Sequence, residues 1–324
     1  MDPTLTRRAV LKVAASAALA ASPLYSWAQS ATRQGIGKGK RVLFFTKSQG
    51  FAHEAITPKP NLPLPFGERL IREWLAGAGY ELTVSKEGSL FTPENIEKFD
   101  VFLFYTDGVL TQPPVSRDVD QTSAMTEEGK VALLKAIEAG KGFVGLHSAS
   151  ATFSNSYMKP LPVTLAPEDW KGAKIDPYSA MIGAEFTSHG SQQKATIRVG
   201  SKTFPGLEDL KDFEMTEEWY AFTNLATDMH VILVQDTSTM RVNARSGLRE
   251  TQYQGESYPE TWARTQGKGR VFYTSMGHRE DVWTNPVYRK VVMAGLAWAA
   301  GVAGAGWEPK PNLGEACPKL KKAM

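Results

Sequence analysis

The sequence predicts an α/β fold: a mainly parallel sheet covered by helices on both faces. Three observations carry this. Short, continuously apolar runs such as Val42-Leu43-Phe44-Phe45 and Val101-Phe102-Leu103-Phe104 mark strands buried on both sides. Amphipathic stretches of helical length alternate with them, the pattern of parallel strands joined by helical crossovers. The 324 residues, 42% of them hydrophobic, can bury a sizeable core and are too apolar for a disordered chain.

The first thirty residues stand apart. Thr6-Arg7-Arg8-Ala9-Val10-Leu11-Lys12, an Ala-rich apolar stretch and Ser26-Trp27-Ala28 read as a twin-arginine export signal over residues 1–28, cut after Ala28. The apolar run is shorter than the ~20 residues of a spanning helix. The reading makes the twin-arginine export machinery a partner and the periplasm the destination. Residues 29–40, rich in Gly and Lys, read as a linker.

Regular signals then follow in order. Residues 42–45 form the first strand, and 58–65 a Pro-rich loop. A helix over 67–78 puts Leu70, Ile71, Trp74 and Leu75 on one face. Residues 81–85 alternate as a strand, and 100–105 form a buried one. Thr126 caps a helix that runs to residue 139, and 142–146 is the next strand. Further strands are expected at 195–199, 230–235 and 270–274. The last helix starts at Pro286, a residue favoured in a first turn, and ends near 299. One domain thus spans 41–300, and residues 301–324, opened by Gly301 and Gly304, are expected to form a mobile tail.

Residues 107–125 and 148–192 are long loops, a length that in compact domains serves a site. Both follow strand C-terminal ends, where open parallel sheets bind ligands. The chemistry gathers at the same end. Of five histidines, His53, His147, His189 and His278 sit just past strand ends or in these loops, and His230 starts a strand as a structural edge residue. Converging imidazoles can bind a transition metal or act as acid and base near neutral pH. Four at one end of one sheet share a crevice, although no compact ligand spacing such as His-Glu-x-x-His occurs.

Gly145-Leu146-His147-Ser148-Ala149 has the outline of a nucleophile elbow with His147 at its apex. Ser148 does not fit the G-x-S-x-G frame, which argues against a serine hydrolase. In Met215-Thr216-Glu217-Glu218-Trp219-Tyr220 an extended chain turns only one of the two carboxylates inward, as a base, a metal ligand or an orienting group. Asp107 and Asp281 are weaker candidates, and Trp262 and Trp283 are candidate aromatic platforms for a sugar. The net charge of +3 is too small and dispersed for nucleic-acid binding, and the single Cys317 excludes an internal disulfide or a Cys-cluster zinc site.

Across residues 41–300 the chain resembles the ThuA-like (trehalose-utilisation) family. The resemblance rests on Gly50-Phe51-Ala52-His53, Gly142-Phe143-Val144-Gly145-Leu146-His147, Phe186-Thr187-Ser188-His189-Gly190, Glu217-Glu218-Trp219-Tyr220, Pro259-Glu260-Thr261-Trp262 and the 269–278 block ending in Gly277-His278. At 217 the chain has Glu where the family often has Asp. The resemblance implies a flavodoxin-like three-layer sandwich, similar to class I glutamine amidotransferases, and a link to sugar utilisation. Those enzymes carry Cys at the elbow apex; His147 there excludes their thiolate chemistry.

The reading that results is an exported enzyme acting on a disaccharide, glycoside or keto-sugar. His53, His147, His278 and Glu218 form its catalytic centre, and His189, Asp107, Tyr220 and Trp262 bind substrate. A divalent metal such as Zn2+ would sit on His53, His147 and His278. The alternative is a non-catalytic carbohydrate- or partner-binding domain on the same scaffold.

Overall fold

Within each buried strand, side chains point alternately to opposite faces, so a continuously apolar strand feeds two cores at once. In the computed structural model, Val42 and Phe44 of β1 (Arg41–Phe45) join one core and Leu43 and Phe45 the other. The structure describes residues 35–154, 175–240, 257–318 and 320. The expected export signal, residues 29–34 of the linker and 155–174 of the second long loop lie outside the described residues.

The parallel half of the main sheet is built from β1, β2 (Glu81–Ser85), β3 (Val101–Phe104), β4 (Gly142–Leu146) and β11 (Gly269–Thr274). On one face, α1 (Phe66–Ala78) presents the predicted Leu70, Ile71, Trp74 and Leu75. The other face is covered by α2 (Pro93–Ile96), α3 (Glu127–Glu138) and α4 (Pro177–Ile182). The Thr126 hydroxyl accepts the Gly129 N–H at 2.9 Å, capping α3 where the sequence placed its start. A short α5 (Glu280–Trp283) leads into α6 (Pro286–Ala299), which packs beside α1.

Beyond β11 the sheet continues with antiparallel strands. Its order is β2-β1-β3-β4-β11-β10-β9-β6-β7, with β6 (Gln193–Val199), β7 (Phe213–Glu217), β9 (His230–Asp236) and β10 (Ser257–Gln266). β5 (Glu185–His189) and β8 (Tyr220–Thr223) pair separately. β5, β7, β8 and β10 are not expected from the sequence. In β10, Pro259 and Glu260 break the apolar pattern, and the strand is irregular there, with register shifts between Pro259 and Trp262.

The described part of the C-terminal tail, expected to be mobile, is instead docked; residues 319 and 321–324 lie outside the described residues. Asn312 brackets Val231, accepting its N–H at 2.6 Å and donating to its carbonyl at 3.0 Å. α7 (Leu313–Ala316) follows, and Leu313, Cys317 and Leu320 are buried in the second core. Apolar residues spaced by three and four in a Lys-rich segment give this tail one buried face. His230 sits at the start of β9 as a structural residue, between the Lys310 backbone and the Ser201 hydroxyl.

Candidate functional site

The sheet ends bring four distant segments together. His147 follows β4 directly, in a left-handed conformation with φ +44°. Its carbonyl accepts the Tyr273 hydroxyl at 2.7 Å, which fixes the turn. The ring is fully buried, and its Nδ1 lies 2.7 Å from the Ser275 carbonyl. A carbonyl only accepts, so Nδ1 carries a proton and Nε2 is the nitrogen turned toward the site.

Around Nε2 stand the other groups. The Tyr220 hydroxyl is 2.8 Å from Nε2, His278 Nδ1 is 3.3 Å away and Glu218 Oε2 3.7 Å. Glu218 Oε2 is also 3.3 Å from His278 Nδ1, while its Oε1 reaches His189 Nδ1 at 3.1 Å. The His53 ring, in the loop after β1, meets His147 and His278 edge-on at 4.9 and 5.3 Å. One ligand atom from each of His53, His147, Glu218 and His278 lies within 4.8 Å of all the others. His189, more exposed, stands at the outer side of Glu218.

Charges settle accordingly. Burial pushes His278 down to about 4, helped by His147 and opposed by Glu218. Burial, then the neighbouring imidazoles, holds His53 well below the usual histidine range. Burial pushes Glu218 up, but the hydrogen bond and charge of His147, with His189 and His278, outweigh it and hold the carboxyl below its ordinary value. Near pH 7 the cluster therefore presents an ionised carboxylate beside neutral His53 and His278. Burial holds the Tyr220 hydroxyl protonated, well above the usual tyrosine range. His53 Nδ1 is buried and has no hydrogen-bond partner among the described residues. Three imidazoles facing a carboxylate, with the His147 Nδ1 proton committed to a carbonyl, are a donor set that fits a divalent cation.

Two buried carboxylates hold the segment that carries His278. Glu217 Oε2 accepts the N–H groups of Gly277 at 2.8 Å and His278 at 3.1 Å, and its Oε1 accepts the Glu218 N–H at 2.7 Å. Burial, partly countered by His147 and these N–H groups, pushes Glu217 up to about 7. Glu260 accepts from Thr274, Ser275 and Met276, and burial raises it too. Gly277 itself has φ +126°, and a Cβ there would lie 2.6 Å from the Tyr288 hydroxyl, so the position requires glycine. The extended chain thus directs Glu218 to the imidazoles and Glu217 to the backbone. The positioning roles of Glu217, Glu260 and Tyr273 were not foreseen; an acidic residue inside an apolar strand is the only signal.

Other expected residues lie elsewhere. Trp262, expected to bind substrate, is a core residue: fully buried, it donates its indole N–H to Ile182 O at 2.8 Å and packs on Tyr273 at 4.3 Å. Trp283 is likewise buried, stacked on Tyr105 at 6.0 Å and donating to Gly277 O. Asp107 lies under the loop that carries His53, its Oδ1 accepting the Phe51 N–H at 2.7 Å. Asp281 is on the surface with Arg279. Ser148 Oγ is buried, with no hydrogen-bond partner among the described residues. Cys317 is buried in the docked tail, its thiol pushed up to about 12, so no thiolate serves the site.

The trehalose-utilisation family model, ThuA, matches residues 41–299. No curated protein matches the sequence. Among solved structures, a ThuA-like protein from Bacteroides uniformis is similar with a TM-score of 0.58 at 15% identity, over 86% of this chain and 96% of that one. Another, from Parabacteroides merdae, gives 0.53 at 16% identity, over 81% and 90%. At such identities the similarity speaks for the α/β, flavodoxin-like fold alone.

Proposed function

The chain belongs to the ThuA trehalose-utilisation family, and on that premise we propose that it is an exported enzyme that transforms a disaccharide, glycoside or keto-sugar. The observation that carries the reading is the convergence of His53, His147, Glu218 and His278, with ligand atoms within 4.8 Å of one another. The fold does not need such a cluster for stability. It is closed by its two apolar cores, and burying four ionisable groups together is costly.

Each residue has a role. Glu218, ionised and partly screened from water, is the general base where no ion is bound and a ligand where one is. His147 presents its Nε2 lone pair in a fixed tautomer, and Tyr220 orients that lone pair and stays a proton donor. His189 sits on the outer oxygen of Glu218 and meets the sugar at the entrance. A divalent ion such as Zn2+ would be held by His53, His147, His278 and Glu218, and when bound would polarise a carbonyl or acidify water. Glu217 and Glu260 hold the His278 segment in place.

The paired Arg7 and Arg8, the short apolar stretch and Ala28 support export by the twin-arginine route and a periplasmic mature protein. N-terminal sequencing of the exported chain, expected to start at Gln29, tests this.

The activity test uses protein exported by the native host. Its metal content is measured, and trehalose, maltose, cellobiose and their keto forms are assayed for conversion by wild type and His147→Ala. Turnover that disappears in His147→Ala with an unchanged melting temperature is the expected result. Saturable binding without conversion would make this a carbohydrate-binding domain instead, and neither binding nor conversion would overturn the sugar reading.

A further inference from the structure

Phe51 is the one ring among the large apolar side chains left exposed in the described residues, the others being Leu62, Val115 and Val131. It is 56% exposed and stands next to the cluster, meeting the His53 ring edge-on at 4.8 Å. Single exposed apolar residues are ordinary on protein surfaces. This one differs in being both beside the site and held there.

The clamp is built from the Asp107 carboxylate and backbone groups. Asp107 Oδ1 accepts the Phe51 N–H at 2.7 Å, and the Asp107 carbonyl accepts the Gln49 N–H at 2.7 Å. Gly108, at φ +79°, lies so close to Gly50 that a Cβ would come within 2.3 Å of the Gly50 nitrogen. The turn after β3 therefore pins the loop after β1 on both sides of Gly50. A ring on a pinned loop loses little conformational freedom when something stacks on it.

We infer that Phe51 is the platform on which one sugar ring of the substrate stacks, its C–H face against the phenyl ring and its hydroxyls toward the histidine–carboxylate cluster. The inference rests on the sugar reading of that cluster and names the group that selects for the ring. A pyranose suits the pair of surfaces because it has apolar C–H faces and a hydroxylated edge. Trp262 and Trp283 are fully buried and closed to a sugar. Phe51 thus supplies an open aromatic face beside the cluster. It is a substrate-positioning residue and takes no part in proton transfer.

The experiment is steady-state kinetics of wild type, Phe51→Ala, Phe51→Leu and Phe51→Trp on the sugars of the same panel, with melting temperatures recorded. Phe51→Ala and Phe51→Leu are expected to raise KM roughly five- to tenfold at nearly unchanged kcat, the scale of one aromatic contact, and Phe51→Trp to restore it. Melting temperatures should not move, because the side chain is largely exposed. An unchanged KM in Phe51→Ala of an active enzyme overturns the platform and leaves the sugar reading standing. KM raised in Ala but fully restored by Leu overturns stacking as well, since bulk alone would then suffice. A wild type that neither binds nor converts any sugar of the panel overturns both.

Discussion

His147 Nε2 and His278 Nδ1 stand 3.3 Å apart with Glu218 Oε2 within 3.7 Å of both. Two protonated imidazoles repel at that distance, so acid works against the native state. His278 is held at about 4 and His53 well below its ordinary value, so the unfolded chain binds more protons than the native one below the ordinary histidine value of 6.5. Stability then falls as the pH drops from 6.5 toward 4. His278 alone contributes on the order of 2 kcal/mol to this loss by pH 5. Urea midpoints of chelator-treated protein at pH 7 and 5 measure it, and His278→Asn is expected to lose less than wild type. Equal losses in the two proteins would show that the imidazole contact is not strained by acid.

Glu217 titrates in the opposite sense. Its native value of about 7 lies above the 4.5 of a free carboxyl, so the native state binds more protons and its stability falls as pH rises between those values. Glu217→Gln removes that titration, and the gap between wild type and variant should narrow by roughly 2 kcal/mol from pH 5 to pH 8. Glu217→Ala leaves the N–H groups of Glu218, Gly277 and His278 without their acceptor. It is expected to cost about 3 kcal/mol or more at either pH, and a cost under 1 kcal/mol would mean that the segment is held by other contacts.

Gly277→Ala tests the same segment through its backbone. The new Cβ meets the Tyr288 hydroxyl at 2.6 Å in a conformation that side chains avoid. The expected result is a loss of about 2–4 kcal/mol together with displacement of His278, read as a fall in turnover. A variant with wild-type melting and activity would show that the turn relaxes without moving the histidine.

These predictions rest on two kinds of residue, and only one was legible in the sequence. The parallel half of the sheet announces itself because β1, β3 and β4 are apolar on both faces, and its C-terminal edge identifies the loops that carry His53, His147 and His278. Histidines are rare enough in this chain for their shared placement to stand out. Glu217 and Glu260 are different. A carboxylate that accepts backbone N–H groups inside a fold looks, in sequence, like any acidic residue on a strand edge, because its partners lie tens of residues away. Trp262 failed for the same reason: its ring is as compatible with a core as with a sugar, and the contact with Ile182 that decides the matter is long-range.

The Tyr220 hydroxyl, 2.8 Å from His147 Nε2, offers a test of the site that spares the fold. Tyr220→Phe keeps the ring packed on Phe186 at 4.3 Å and removes only the hydrogen bond. A lost hydrogen bond of this kind costs about 1 kcal/mol of stability. If Tyr220 orients the lone pair and donates a proton, turnover should drop about 10²-fold or more, the size of a general-acid contribution. Turnover within twofold of wild type would reduce Tyr220 to packing.

Metal binding has a readout that needs no substrate. A ligand that binds only the native state at a hundredfold excess over its Kd stabilises by about 2.7 kcal/mol. For a domain of this length that is a rise of roughly 5–10 °C in melting temperature. Chelator-treated protein titrated with Zn2+ should show such a rise, and His147→Ala and Glu218→Gln should lose most of it. His189→Ala should keep most of it, because His189 reaches only the outer oxygen of Glu218. The binding should weaken below the pH where the imidazoles take up protons, since a protonated ring has no lone pair to offer. No rise with Zn2+, Mn2+ or Co2+ would leave Glu218 and His147 to work as an acid–base pair without a metal.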